Sequence, residues 1–282
     1  MRIVLVGGSS SLAAALTTVF SEYAEVITAG RTGCDIQLDL AGLSEAIHFP
    51  ADVDAVINAA ADFGGKDMDS LLRAQDINVM GALKLGVASV RAQVKHFVQV
   101  SSVFALLDPG SQFFNAYAMS KRQADEALQL FCTSFSMPLA IVRPSQFYGT
   151  GTAARKHQPF LLSIIDKAQN GEDISFYGNN DAKRNFIHVA DVAKAISSVV
   201  RQKVVGTYCC QSLSDIRYSE IAAAAVAAFG TRSNIAFASD KPDIPDNILP
   251  INDALYRMIG HCPKISFQEG MVMEALARRD AP

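Results

Sequence analysis

Short runs of β-branched and aliphatic residues recur along this chain, spaced widely enough for a helix between each. That alternation constrains the fold more than any other feature. The runs occupy residues 3–6, 25–29, 36–38, 55–58, 97–100 and 139–142. They are mostly apolar rather than strictly alternating, as strands are when helices cover both faces of a sheet. Helical patterns fill the gaps, notably at 11–23, 67–93 and 117–135. Such a series reads as βαβ units around a parallel sheet, an α/β fold. After Pro144 the alternation weakens. Turns such as Gly149-Thr150-Gly151 and Gly178-Asn179-Asn180 separate shorter elements, and Pro242, Pro245, Pro250 and Pro263 punctuate the last quarter. A large N-terminal domain and a smaller C-terminal lobe are expected, with a boundary near residue 146.

Composition narrows the class of partner. Half of the residues are hydrophobic and 19% are charged, which supplies a large core. The formal charge is −3 and no Lys/Arg run stands out, so nucleic acid and anionic membranes are not expected partners. The five cysteines and five histidines lack metal-ligand spacing. No metal site is expected, and the thiols read as reduced ones of a cytoplasmic protein. Gly7, Gly8 and Ser9 to Ser11 break the first apolar run, which suits a strand and turn better than a leader peptide. A later apolar run, 221–229, is too short to span a bilayer.

The first strand runs directly into Gly7-Gly8-Ser9-Ser10-Ser11-Leu12-Ala13 and then a helix. Small residues let a backbone approach a pyrophosphate, whose charge is favoured by the N–H groups of a helix N-terminus. A dinucleotide loop of the usual spacing would carry glycine at 7, 10 and 13, and only Gly7 matches. A serine turn capping an ordinary helix is the competing reading. The second strand is followed by Arg31, where NAD binders usually place a carboxylate for the ribose. A guanidinium there suits the 2′-phosphate of NADP, with Ser9 or Ser10 adding hydroxyls, whereas a solvated loop arginine is the alternative. Asp39 and Leu40 follow the third strand and are placed to meet the adenine edge. Asn58, Ala59 and Ala60 end the fourth strand beside the expected dinucleotide path.

Ser101 and Ser102 close the fifth strand, and Tyr117 with Lys121 opens the next helix. At i and i+4 the two side chains share one helical face. Reducing a ketone or oxidising an alcohol couples hydride transfer to proton transfer. A phenol near pKa 10 is a poor base at neutral pH, and a nearby ammonium is expected to lower that value. A serine hydroxyl can hold the carbonyl oxygen in place. All of these groups fall at the carboxyl edge of the sheet, where ligands of such folds bind.

At this point the sequence resembles the extended short-chain dehydrogenase/reductase family, the NAD-dependent epimerase/dehydratase group. The matching stretches are Val6-Gly7-Gly8, Asn58-Ala59-Ala60, Asn78-Val79-Met80-Gly81, Val100-Ser101-Ser102, Tyr117 with Lys121, Arg143-Pro144 with Tyr148-Gly149, and the run from Arg184 to Ala193. The tail, from Ile259-Gly260 to Glu269-Gly270, is similar to that family's ending. The resemblance implies a Rossmann-type doubly wound parallel sheet with a smaller C-terminal substrate-binding lobe. The NADP-binding domain would comprise residues 1–146 plus about 181–203, and the lobe 147–180 with 204–282. It implies that Ser102, Tyr117 and Lys121 form the catalytic triad, with Asn78 supporting them, and that Pro144 lies at the cofactor. Helices 67–93 and 117–135 resemble those that pair across the family's homodimer.

Departures from the family narrow the reaction. Dehydratases usually carry Asp-Glu after the catalytic hydroxyl, but here Val103 and Phe104 follow Ser102. Combined epimerase-reductases place a reactive cysteine near that spot, and this chain has none there. What remains is an NADPH-dependent ketoreductase acting on a nucleotide-linked 4-keto-deoxyhexose, or a 4-epimerase retaining its cofactor; Arg31 favours the reductase. A non-catalytic NADP-binding protein is a third reading. Arg184 matches an arginine that binds substrate diphosphate in some relatives, with a surface salt bridge as the alternative. Ser145 and Gln146 are expected at the mouth of the substrate cleft.

Overall fold

The computed structural model describes residues 1–41, 47–149 and 158–279. Thr150 and Gly151, read above as part of a turn, lie outside the described residues. The chain separates into two compact units.

The first unit comprises residues 1–145, 192–210 and 252–262. Its strands are β1 (Arg2–Val6), β2 (Glu25–Gly30), β3 (Ile36–Gln37), β4 (Ala55–Asn58), β5 (His96–Val100), β6 (Leu139–Pro144) and β11 (Gly206–Cys210). They form one seven-stranded sheet in the order β11-β6-β5-β4-β1-β2-β3. Every pairing in that sheet is parallel. The parallel α/β sheet read from the apolar runs, and the doubly wound form that the resemblance implied, are therefore the observed ones. The six runs become β1 to β6 within about two residues at each end. The seventh strand was not among the candidates, because its sequence, Gly-Thr-Tyr-Cys-Cys, lacks a β-branched run.

Helices cover the strands as the continuous apolar pattern requires. They are α1 (Ser11–Phe20), α2 (Met68–Gln75), α3 (Gly81–Arg91) and α4 (Ala116–Ser134). One face of the sheet, including Val4, Val56, Phe97 and Ile141, packs with Leu85 of α3 and Ala124, Leu128 and Cys132 of α4. Ser10 starts α1 by accepting a hydrogen bond from Ala13 N, and Asn115 starts α4 by accepting one from Ala118 N. The pattern at 67–93 is not one α-helix. Between α2 and α3 residues Asp76–Met80 form a π-helical turn, which places Asn78 on the inner side with 1% exposure. Single π turns inside helices recur at functional sites.

The second unit comprises residues 146–191, 211–251 and 263 onward. It holds β7 (Gln146–Tyr148), α5 (Pro159–Asn170), β8 (Ile174–Tyr177), β9 (Lys183–Arg184), β10 (Phe186–His188), β12 (Ile216–Arg217), α7 (Tyr218–Phe229), β13 (Ile235–Ala238) and α9 (Phe267–Arg279). Its strands pair two by two: β10 with β7, β12 with β9, β13 with β8. Its core gathers Leu161, Ile165, Phe176, Phe186, Ile221, Ala225 and Met271. Helix α6 (Val189–Gln202) leads back into the first unit, where α8 (Ala254–Ile259) also lies.

Candidate active site

Strand order reverses between β1 and β4, and crevices at such a reversal bind ligands at the carboxyl ends of the strands. Gly7 stands there with φ of +86°, and a Cβ on it would lie 2.7 Å from Ala60 N. Only glycine meets both demands. Gly7 N and Gly8 N both donate to Ala29 O, at 2.8 and 3.2 Å, so the loop is tied to the end of β2. Ser11 and the buried Leu12 begin α1. Ser10 Oγ is engaged as the cap, as the competing reading of this loop had it, while Ser9 is exposed. Asn58 is buried; its amide donates to Gln99 Oε1 at 2.9 Å and its oxygen accepts from Ala60 N at 3.2 Å.

Arg31 is exposed in the bend after β2. In the same bend, Asp35 accepts from both Thr28 N and Thr28 Oγ1 at 2.8 Å, which holds its carboxyl below the usual range. Asp39 is exposed and accepts from Ala41 N. The Leu40 side chain is 5% exposed, belongs to the core, and packs against the position a Cβ on Gly81 would take.

The catalytic candidates gather at the ends of β5 and β6. Ser102, 8% exposed, caps the short 3-10 turn Val103–Leu106 through Phe104 N. The Ser102 hydroxyl is near enough to the Tyr117 phenol to pull its ionisation down. Lys121 is 1% exposed; its Nζ donates to Val100 O at 2.9 Å and lies 5.8 Å from the Tyr117 ring centroid. Burial dominates both ionisations. It pushes the Tyr117 phenol up to about 12, with the Ser102 contact pulling the other way. It brings Lys121 down to about 8. Of the causes that act on the phenol, desolvation is the largest and the ammonium is not one, so Tyr117 holds its proton at neutral pH.

Asn78 touches none of these three side chains. Its oxygen accepts from Asp62 N at 2.8 Å, and its amide donates to Asp62 O at 2.7 Å and Ser120 Oγ at 2.8 Å. Ser120 Oγ in turn donates to Tyr117 O at 3.0 Å. Asn78 therefore clamps the loop after β4 to α4. Phe63 in that loop stacks on Tyr117, a contact that no spacing in the sequence announces. Asp125 also escaped the sequence reading; it lies under the site, joined to Ser101 and Arg143.

Pro144 ends β6 with little exposure. Ser145 N donates to Cys210 O, and its Oγ is buried without a hydrogen-bond partner among the described residues. In the second unit, Gln146 begins β7 and its Oε1 is likewise buried and unpartnered. Arg184 is 7% exposed rather than a surface ion pair. Its guanidinium lies 4.8 Å from the Tyr218 ring centroid and donates to Lys183 O and Pro245 O. Among the described residues, no helix is long and apolar enough to cross a membrane.

A model of the NAD dependent epimerase/dehydratase family matches residues 3–208. CDP-abequose synthase of Salmonella typhimurium is 26% identical over 167 residues, which is 57% of this chain and 52% of that protein. The chain therefore spans about half the length of that relative. The dTDP-4-dehydro-6-deoxy-D-allose reductase of a Streptomyces species is 32% identical over 82 residues, 29% of this chain and 25% of that protein. The crystal structure of UDP-N-acetylglucosamine 4-epimerase from Bacillus cereus superposes with a TM-score of 0.84 at 20% identity, covering 100% of this chain and 98% of that one. At that identity the likeness shows the fold alone.

Proposed function

We propose that this chain, which belongs to the NAD dependent epimerase/dehydratase family, is an NADPH-dependent ketoreductase acting on a nucleotide-linked 4-keto-deoxyhexose. The observation that carries the reading is the grouping of Tyr117, Ser102 and the buried Lys121 beside the end of β5, where Lys121 Nζ donates to Val100 O and burial raises the phenol's ionisation. A phenol that keeps its proton is suited to donate it to a carbonyl oxygen as that oxygen gains charge. Ser102 orients the oxygen, and Lys121 supplies the positive charge that favours phenolate once the proton has left.

The cradle at Gly7, too close to Ala60 for any Cβ, fits a dinucleotide pyrophosphate. The residues that would hold it are Gly7, Ser9, Ser10, Ser11 and Leu12, with Asn58, Ala59, Ala60 and Pro144 along the crevice and Lys121 at the nicotinamide ribose. When bound, NADPH supplies the hydride. Arg31 supports NADP over NAD, because an exposed guanidinium without a hydrogen bond among the described residues follows β2 while Asp35 is engaged by Thr28. The reductase among the relatives supports reduction, and the family's nucleotide-sugar enzymes support the substrate class. Arg184, held by carbonyls in the second unit, gives the diphosphate assignment little support. A homodimer is part of the reading; the exposed Met68 and Leu72 of α2 and Leu130 of α4 support it.

NADPH oxidation by the purified chain with 4-keto sugar nucleotides tests the proposal. Turnover that disappears in Tyr117→Phe, with NADPH binding intact, is the expected result. Absence of turnover across such substrates, or full activity of Tyr117→Phe, overturns it. A 4-epimerase is the second reading, consistent with the family match; it keeps its dinucleotide through purification and consumes no NADPH.

A further inference from the structure

Tyr117 and Lys121 occupy successive turns of one face of α4, and Asp125 is the next residue on that face. Its side chain is 1% exposed. Ser101 Oγ and Arg143 Nε each donate to Oδ2 at 2.8 Å. Oδ1 is buried with no hydrogen-bond partner among the described residues. A carboxylate in such a place costs far more to bury than an apolar side chain of the same size. Packing alone does not account for it.

The connections of Asp125 all lead to the reaction centre. Ser101 adjoins Ser102, so the carboxylate ties the end of β5 to the helix that carries the phenol. Arg143, on β6, is the counter-charge, and its side chain retains 17% exposure. Lys121 is buried deeper than Arg143, and its one described hydrogen bond goes to a neutral carbonyl. The other titratable group packed here is the buried Cys209 of β11, in register with Arg143 and pushed up by burial. Asp125 is thus the one carboxylate among these groups. Its field raises the Lys121 ionisation against the effect of burial and adds to the rise at Tyr117.

We propose that Asp125 is a positioning residue of this centre: through Ser101 it fixes the strand end bearing Ser102, and through its charge it keeps the buried Lys121 in the ammonium form. Its consequence for turnover rests on the ketoreductase reading, but the charge coupling does not.

The test uses the whole chain with carbon-13-labelled lysine, following the Lys121 signal by NMR against pH; Lys121→Met identifies the signal. Asp125→Asn is expected to move the Lys121 midpoint down by about one pH unit. Asp125→Glu is expected to restore most of the shift, and Ser101→Ala, which cuts the tether without removing charge, to leave the midpoint in place. In NADPH oxidation, Asp125→Asn is expected to lose about tenfold in kcat near neutral pH with KM little changed. Should Asp125→Asn not fold, the pair Asp125→Asn with Arg143→Met leaves no unpaired guanidinium and is expected to give a downward midpoint shift of smaller size, since a positive charge leaves with the negative one. An unmoved midpoint in the folded variant overturns the proposal. A shifted midpoint in a chain that reduces no keto sugar supports the coupling and removes the ketoreductase reading instead.

Discussion

Phe63 lies nearly flat on Tyr117, with ring centroids 4.9 Å apart and planes inclined by 13°. The loop that carries it is held at several points. Asp62 is gripped through both backbone groups by Asn78, pairs with Arg73 at 2.8 Å, and accepts from Gly64 N at 2.7 Å. The stack covers one face of the phenol, and burial is the main cause that raises Tyr117 to about 12. Aromatic pairs of this kind contribute about 0.5–1.5 kcal/mol.

Phe63→Ala should therefore lower the phenol ionisation toward the ordinary value of about 10 and reduce kcat by about two- to tenfold. Ultraviolet difference titration of the phenolate and steady-state NADPH oxidation read the two effects. Phe63→Leu, which keeps most of the cover, should fall between. A phenol that titrates identically in the alanine variant would show that the stack does not desolvate it.

The pH dependence of turnover should report Lys121. Its ionisation stands at about 8, so the ammonium is present below that pH and lost above it. kcat/KM, which reflects groups in the free enzyme, should therefore decline as pH rises through about 8. In Lys121→Arg, any residual activity should lack this alkaline limb, because a guanidinium stays charged throughout. A limb that persists unchanged in that variant assigns it elsewhere.

Gly7→Ala should be harmful twice over. The left-handed φ of +86° strains any other residue, by about 1–3 kcal/mol, and the added methyl would meet Ala60 N at 2.7 Å. Both thermal stability and dinucleotide affinity are expected to fall. Calorimetry and a fluorescence titration with NADPH measure them separately. Gly33, also at positive φ but with open space around its Cβ position, provides the control: alanine there should cost stability alone.

His96 predicts an acid limit to stability. The ring is 2% exposed, and Nε2 lies 2.9 Å from Val204 O, which can only accept, so Nε2 carries a proton. Burial lowers its pKa below the unfolded value of about 6.5. Stability from this group is complete above about 6.5 and is lost as pH falls through the lower folded value. Urea unfolding of the native chain should weaken over that acid range. His96→Gln keeps a donor for Val204 O, so its stability curve should be flatter there, at a cost of about 1 kcal/mol near neutral pH.

Local periodicity was enough to place most of the sheet. The runs that became β1, β2, β4, β5 and β6 are continuous apolar segments, and the i,i+4 spacing of Tyr117 and Lys121 fixes a shared face wherever the helix lies. The glycine at position 7 and the serine ending β5 were readable for the same reason, since each satisfies a demand of its own stretch of backbone. Tertiary structure alone decided what those elements meet. It set β11 beside β6, turned Leu40 into the core, and buried Arg184 over Tyr218. It joined Asn78 to Asp62, Phe63 to Tyr117, and Asp125 to Ser101 and Arg143. The ionisation of Tyr117 belongs to this second group: it depends on how much water the neighbouring strands and loops exclude, and desolvation is a property of the assembled surroundings rather than of neighbours in sequence.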